Sequence, residues 1–161
     1  MTQTVHAEAE GFDSIVWATD GTPESNRAQA YVRELCERYD SSLRVVHVAD
    51  RFPGGTLSEH RVAALKARTS ALRRHGINAS LHVIRGAIGS PAHQITEVAR
   101  MSGADLVIVT THGRSPLVGA ITGSVTQRLL TDSPCPVLIL PAAAVAPRQT
   151  AAHPSALAAA S

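Results

Sequence analysis

The sequence predicts an α/β domain: one parallel sheet with helices on both faces. Short β-branched, apolar runs alternate with longer stretches whose apolar residues recur every three or four positions, in the order β-α-β-α-β-α-β-α-β. The length of 161 residues suits one domain with a sizeable core and is too short for two ordinary ones. With 44% hydrophobic but only 3% aromatic residues, that core must be aliphatic.

The first strand is Ser14-Ile15-Val16-Trp17-Ala18-Thr19, ended by Asp20-Gly21. Thr22 then reads as an N-cap, Pro23 as the first helical residue and Glu24 as an acid favoured by the helix dipole. The helix that follows sets Ala28, Val32, Leu35 and Tyr39 along one face, with Cys36 on or beside it. Leu43–Val48 is the second strand, broken by Arg51-Phe52-Pro53-Gly54-Gly55. From Ser58 to His75 the positions Val62, Leu65, Thr69 and Leu72 mark a second amphipathic helix, stopped by Gly76. Ala79–Ile84 is the third strand. Ser90-Pro91 opens a third helix with Ile95, Val98 and Met101 inward and Gly103 as its stop. Asp105–Val109 is a fourth, strongly apolar strand, and a short helix Val125–Leu130 and the strand Val137–Leu140 close the domain.

The ends of the chain read differently. Residues 1–10 are polar and acidic without an apolar h-region, so they are expected to be a flexible N-terminus rather than a signal peptide. After Pro141 the composition falls to Ala, Pro, Ser and Thr, and residues 142–161 are expected to be a disordered tail. The domain therefore spans 11–141. A formal charge of +2 and the lack of Lys/Arg runs interleaved with aromatics argue against nucleic acid, and no stretch approaches the roughly 20 apolar residues of a membrane span. Cys36 and Cys135 form no CxxC or zinc spacing, and a reducing, cytoplasmic location is the simple reading.

The informative stretch runs from Thr110 to Ser124, between an apolar strand and a helix N-terminus. A helix start leaves backbone N–H groups unpaired and carries partial positive charge, which suits a phosphate. Gly123 lets the backbone approach an anion, Ser124 offers its hydroxyl and amide, and Gly113 permits a left-handed turn folding the loop over a ligand. His112 and Arg114 flank that turn as further donors or as solvated loop residues. By pattern alone, the stretch also reads as an ordinary loop whose Ser124 caps a helix.

Thr110, Gly113, Gly123 and Ser124 resemble the signature of the universal stress protein family: Gly, two residues, Gly, nine residues, Gly, then Ser or Thr. Val125–Leu130 and Ser133–Leu138 are similar to that family's last helix and strand. Ala18–Ser25 and His47-Val48-Ala49-Asp50 are similar to the ends of its first and second strands. The resemblance spans roughly Phe12 to Leu140. It implies a Rossmann-like open sheet of five parallel strands in the order 3-2-1-4-5 and binding of an adenine nucleotide: ATP, or ADP, AMP or cyclic AMP, with or without Mg2+. The implied contacts are Ala18, Asp20, Val48, Thr110, His112, Gly113, Arg114, Gly123, Ser124 and Val125, with Asp20 by the nucleoside and the backbone at Ala18 and Val48 lining adenine. Asp20 also reads as a turn-former before Gly21, and the two roles are compatible.

The family's first glycine is Thr110 here. A β-branched side chain obstructs the site if the position needs positive φ or bare backbone; it is tolerated, with its hydroxyl available to a ligand, if the strand simply ends there. The Arg85–Ser90 turn is also long, with Gly89 and Ser90 at its end.

No nucleophile stands beside a positioned base, and Val125 follows Gly123-Ser124 where a Walker A loop has lysine. Binding without fast turnover is expected: a stress-response sensor or regulatory module that hydrolyses ATP weakly at most. The alternatives are a slow ATPase or nucleotidyl-transfer enzyme and a nucleotide-free dimeric scaffold. The apolar strand Val137–Leu140 is expected at a sheet edge, where the family forms its homodimer, unless Pro134, Pro136 and Pro141 protect it.

Overall fold

A computed structural model of the chain describes residues 11–49, 56–85, 89–111 and 124–141. In chain order its elements are β1 Ser14–Ala18, α1 Pro23–Asn26, α2 Gln29–Tyr39, β2 Ser42–Val48, α3 Thr56–Arg74, β3 Ala79–Ile84, α4 Pro91–Met101, β4 Leu106–Thr111, α5 Ser124–Asp132 and β5 Val137–Pro141. All neighbouring strands are parallel, and their order is β3-β2-β1-β4-β5. This is the architecture expected from the sequence, in the order the resemblance implies.

Side-chain alternation divides the core between the two faces of the sheet. Ile15 and Trp17 of β1, with Leu43, Val45, Leu106 and Ile108, pack against Ala28 at the N-cap of α2, Val32 and Cys36 within it, and Leu65 and Leu72 of α3. Val16 and Ala18, with Val46, Val107 and Val109, pack against Ala92, Ile95 and Ala99 of α4 and Leu129 of α5. The central strand is thus closed to water on both sides, as a parallel sheet requires. Val62, Leu65, Thr69 and Leu72 are all buried, as their spacing predicts, and the Thr69 hydroxyl is satisfied by the Leu65 carbonyl at 2.8 Å. Gly76 ends α3 with φ +83°, a conformation that favours glycine.

Four expectations need correction. The helix expected from Thr22 onward is two: Arg27 N–H reaches the Glu24 carbonyl and Ala28 N–H that of Ser25, three-residue steps that tighten the chain before α2 starts. Within α2, Cys36 takes the inward position after Ala28 and Val32, while Tyr39 lies at the margin, edge-on to Phe12 at 5.4 Å between ring centres. Met101 points outward, 86% exposed, because it follows the buried Ala99 by two positions, about 200° around the helix. The fourth strand lies later than Asp105–Val109. Asp105 instead folds back on β1, its Oδ2 accepting from the N–H groups of Asp13 (3.0 Å) and Ser14 (2.9 Å), while Thr110 and Thr111 pair with Leu140 and Pro141.

Candidate functional site

From β1 the chain turns to the face covered by α2 and α3 and returns as β2. From β4 it continues into α5 on the opposite face and returns as β5. Adjacent strands whose outgoing connections diverge leave a crevice at their carboxyl ends, the ligand position in sheets of this kind. Its floor is Ala18, level with Val46 on β2 and Val109 on β4. Asp20 follows two residues beyond β1's last residue, Thr110 and Thr111 end β4, and Val48 ends β2. Of the residues expected to bind nucleotide, Ala18, Asp20 and Thr110 therefore flank one crevice, with Val48 one strand over. Ser124 and Val125 open α5, whose first turn carries no acid and so does not neutralise its positive end. His112, Gly113, Arg114 and Gly123 lie outside the described residues, as does the Arg51–Gly55 break.

Asp20 is held rigidly. Its Oδ1 accepts from the Thr22 N–H at 2.9 Å, the Thr22 hydroxyl at 2.8 Å and the Ser25 hydroxyl at 2.7 Å. The backbone bond two residues on is an Asx turn, so the turn-forming role is real. Thr22 also caps α1, its hydroxyl accepting from Ser25 N–H. Gly21 completes the turn at φ +75°, where a Cβ would stand 3.2 Å from Arg61 Cβ and 3.4 Å from Leu65 Cδ1.

Behind Asp20 lies a buried polar layer absent from the sequence expectation. Thr19 Oγ1 shares a 2.9 Å hydrogen bond with Ser25 and accepts from Gly21 N–H at 3.1 Å. His47, 3% exposed, has Nδ1 3.0 Å from the Thr19 carbonyl. A carbonyl only accepts, so Nδ1 carries the hydrogen. The hydroxyl-rich run around Asp20 is visible in sequence. His47 is visible only once strand parity and register place it beside Thr19.

Thr110 resolves one alternative. Asp40 is the only non-glycine residue with positive φ among the described residues, so Thr110 sits in ordinary strand geometry, paired with Leu140. Its side chain shares the face of Leu106 and Ile108, and its hydroxyl oxygen is buried with no hydrogen-bond partner.

Ser90 caps α4, its hydroxyl accepting from His93 N–H. Burial, with Glu37 adding to it, pushes the Cys36 thiol up to about 11. Cys135 is raised by burial and by Asp105, against an opposing hydrogen bond from Ser133. Cys36 packs inside the core on one face, and Cys135 packs partly buried at its margin on the other. Among the described residues, no three His, Cys, Asp or Glu side chains gather as metal ligands, and no helix is long and apolar enough to cross a membrane.

The family model of the universal stress protein family matches residues 11–141. The chain belongs to this family. A universal stress protein of Methanocaldococcus jannaschii is 26% identical over 142 residues, an alignment covering 80% of this chain and 82% of that protein. A universal stress protein solved in complex with cAMP superposes with a TM-score of 0.64 at 23% identity, covering 82% of this chain and 98% of that one. Another from Archaeoglobus fulgidus, solved with dAMP, superposes at 0.60 and 19% identity, covering 79% and 96%. At these identities the likeness speaks for a shared fold.

Proposed function

We propose that this universal stress protein binds an adenine nucleotide in the crevice between β1 and β4 and acts as a regulatory module in a stress response. The observation that carries the reading is the crevice itself: an anchored carboxylate, Asp20, stands just beyond the end of β1 where β1 and β4 diverge, next to the strand end that leads into the Gly113–Gly123 signature. A carboxylate there suits ribose hydroxyls, the strand ends at Ala18 and Val48 suit the adenine edge, and the start of α5 at Ser124 and Val125 suits phosphate. His112, Gly113, Arg114 and Gly123 complete the phosphate end in this reading, and the strand geometry of Thr110 is compatible with it. Family members solved with cAMP and dAMP support the ligand class. ATP is the first candidate, with ADP, AMP and cyclic AMP as alternatives and Mg2+ as a companion of the phosphates.

The same reading makes the chain a cytoplasmic homodimer. β5 is an edge strand whose Val137, Leu138, Ile139 and Leu140 are only half-buried, and a strand edge of that kind pairs readily with a second copy. Native mass spectrometry of the purified protein tests both parts. The expected species is two chains retaining an adenine nucleotide; a single chain without nucleotide, even after incubation with ATP, overturns the proposal.

A further inference from the structure

Of five buried side-chain polar atoms without partners among the described residues, two belong to residues beyond the carboxyl end of β1 or at that of β4. One is Thr110 Oγ1, at the end of β4. The other is Oδ1 of Asn26, the last residue of α1, a side chain only 8% exposed. Asn26 has its orientation set by its other end: Nδ2 donates to the Gly21 carbonyl at 3.2 Å, and a flipped amide would point oxygen at oxygen. Oδ1 is therefore a true acceptor lacking a donor.

The fold places the two residues on elements that touch, α1 and β4. Ala18 pairs with Val109, so Thr19 and Thr110 are lateral neighbours one step further along, on the face shared with Trp17 and Ile108. Thr19 Oγ1 is bonded to Ser25, the residue before Asn26, and α1 packs against β4. Buried polar groups are nearly always satisfied, and two complementary orphans flanking one crevice mark a place for a group that both donates and accepts. A hydroxyl has that chemistry, whether of a sugar or of a trapped water.

We infer that Asn26 and Thr110 form a hydroxyl-reading pair that makes this site select a nucleotide with an intact ribose. The inference rests on the nucleotide-binding reading above. There the base lies toward Val48 on the β2 side and the sugar at Asp20, so the β4 side, where Thr110 and α1 meet, faces the ribose. A site built to bond a hydroxyl rejects the analogue lacking it, because its own buried groups are left unpaired. The substitution of Thr for the signature's glycine thus adds a specificity contact.

Titration calorimetry with ATP, 2′-deoxy-ATP and 3′-deoxy-ATP, on the wild type and on Thr110→Val, tests this. The wild type is expected to bind ATP at least about tenfold more tightly than one of the deoxy forms. In Thr110→Val, which keeps the β-branched shape without the hydroxyl, that ratio is expected to fall to within about twofold, chiefly through weaker ATP binding. Equal affinity of the wild type for all three nucleotides, or an unchanged ratio in Thr110→Val, overturns the inference and assigns the two atoms to a trapped water, while leaving nucleotide binding intact. Absence of binding to all three overturns the nucleotide reading itself. The wild-type comparison does not depend on the variant's folding.

Discussion

The two cysteines show how burial sets chemistry residue by residue. Cys36 sits inside the α2 face among Ile15, Leu43 and other aliphatic side chains, where a thiolate would have no water and has Glu37 beside it. Its thiol ionises near 9.0 in a solvated chain and near 11 in the folded one. Because the folded value is the higher, the folded state binds the proton more strongly. The resulting stabilisation is full below about pH 9 and is lost as pH rises toward 11. Urea midpoints at pH 8 and pH 10.5 are expected to fall more in the wild type than in Cys36→Ala; equal falls would contradict this account. The same scale separates what one residue's sequence context reveals from what it conceals. Thr22, Pro23 and Glu24 announce a helix start, and the structure has one. Met101 satisfies a rough three-to-four spacing and yet faces water, because the true stripe through Ala92, Ile95, Thr96 and Ala99 leaves it on the far side.

Among the elements, the turn from β1 into α1 matters most. Three hydrogen bonds converge on one oxygen of Asp20, and the turn closes with Gly21 at φ +75°, where a Cβ would crowd Arg61 Cβ at 3.2 Å. Gly21→Ala is expected to lower stability by about 1–2 kcal/mol in urea denaturation, since Ala there both strains the backbone and presses on Arg61 and Leu65. A cost indistinguishable from zero would mean that the turn relaxes freely. The strands were legible from composition because the central ones are covered on both faces and read as apolar runs. The break between α1 and α2 was not, because Ser25 and Asn26 are unremarkable in a helix until their side chains are drawn to Thr19, Asp20 and Gly21. The start of β4 was misplaced for a similar reason: Asp105 looks like a strand flank but spends its carboxylate on the N–H groups of Asp13 and Ser14.

At the scale of the whole molecule, strand order decides where a ligand fits. Periodicity establishes five strands and their helices but leaves their lateral order open. The order came from resemblance to the universal stress proteins, and the sheet has it. The crevice was thus legible at one remove, through the Thr110–Ser124 pattern rather than through physical chemistry of any single segment. The orphaned Asn26 and Thr110 oxygens were illegible, since each depends on α1 lying against β4 across about 84 residues of intervening chain. His47 belongs with them, a strand residue whose partner, the Thr19 carbonyl, comes from the neighbouring strand. If β1 and β4 do form a nucleotide site, a ligand bound there ties together α1, the sheet centre and α5 and stabilises the fold by mass action. Thermal unfolding followed against nucleotide concentration reads this directly. The account predicts a melting temperature that climbs steadily as ATP, or another adenine nucleotide, is raised past its dissociation constant. A melting temperature unmoved by ATP, ADP, AMP and cyclic AMP at millimolar concentration would contradict it.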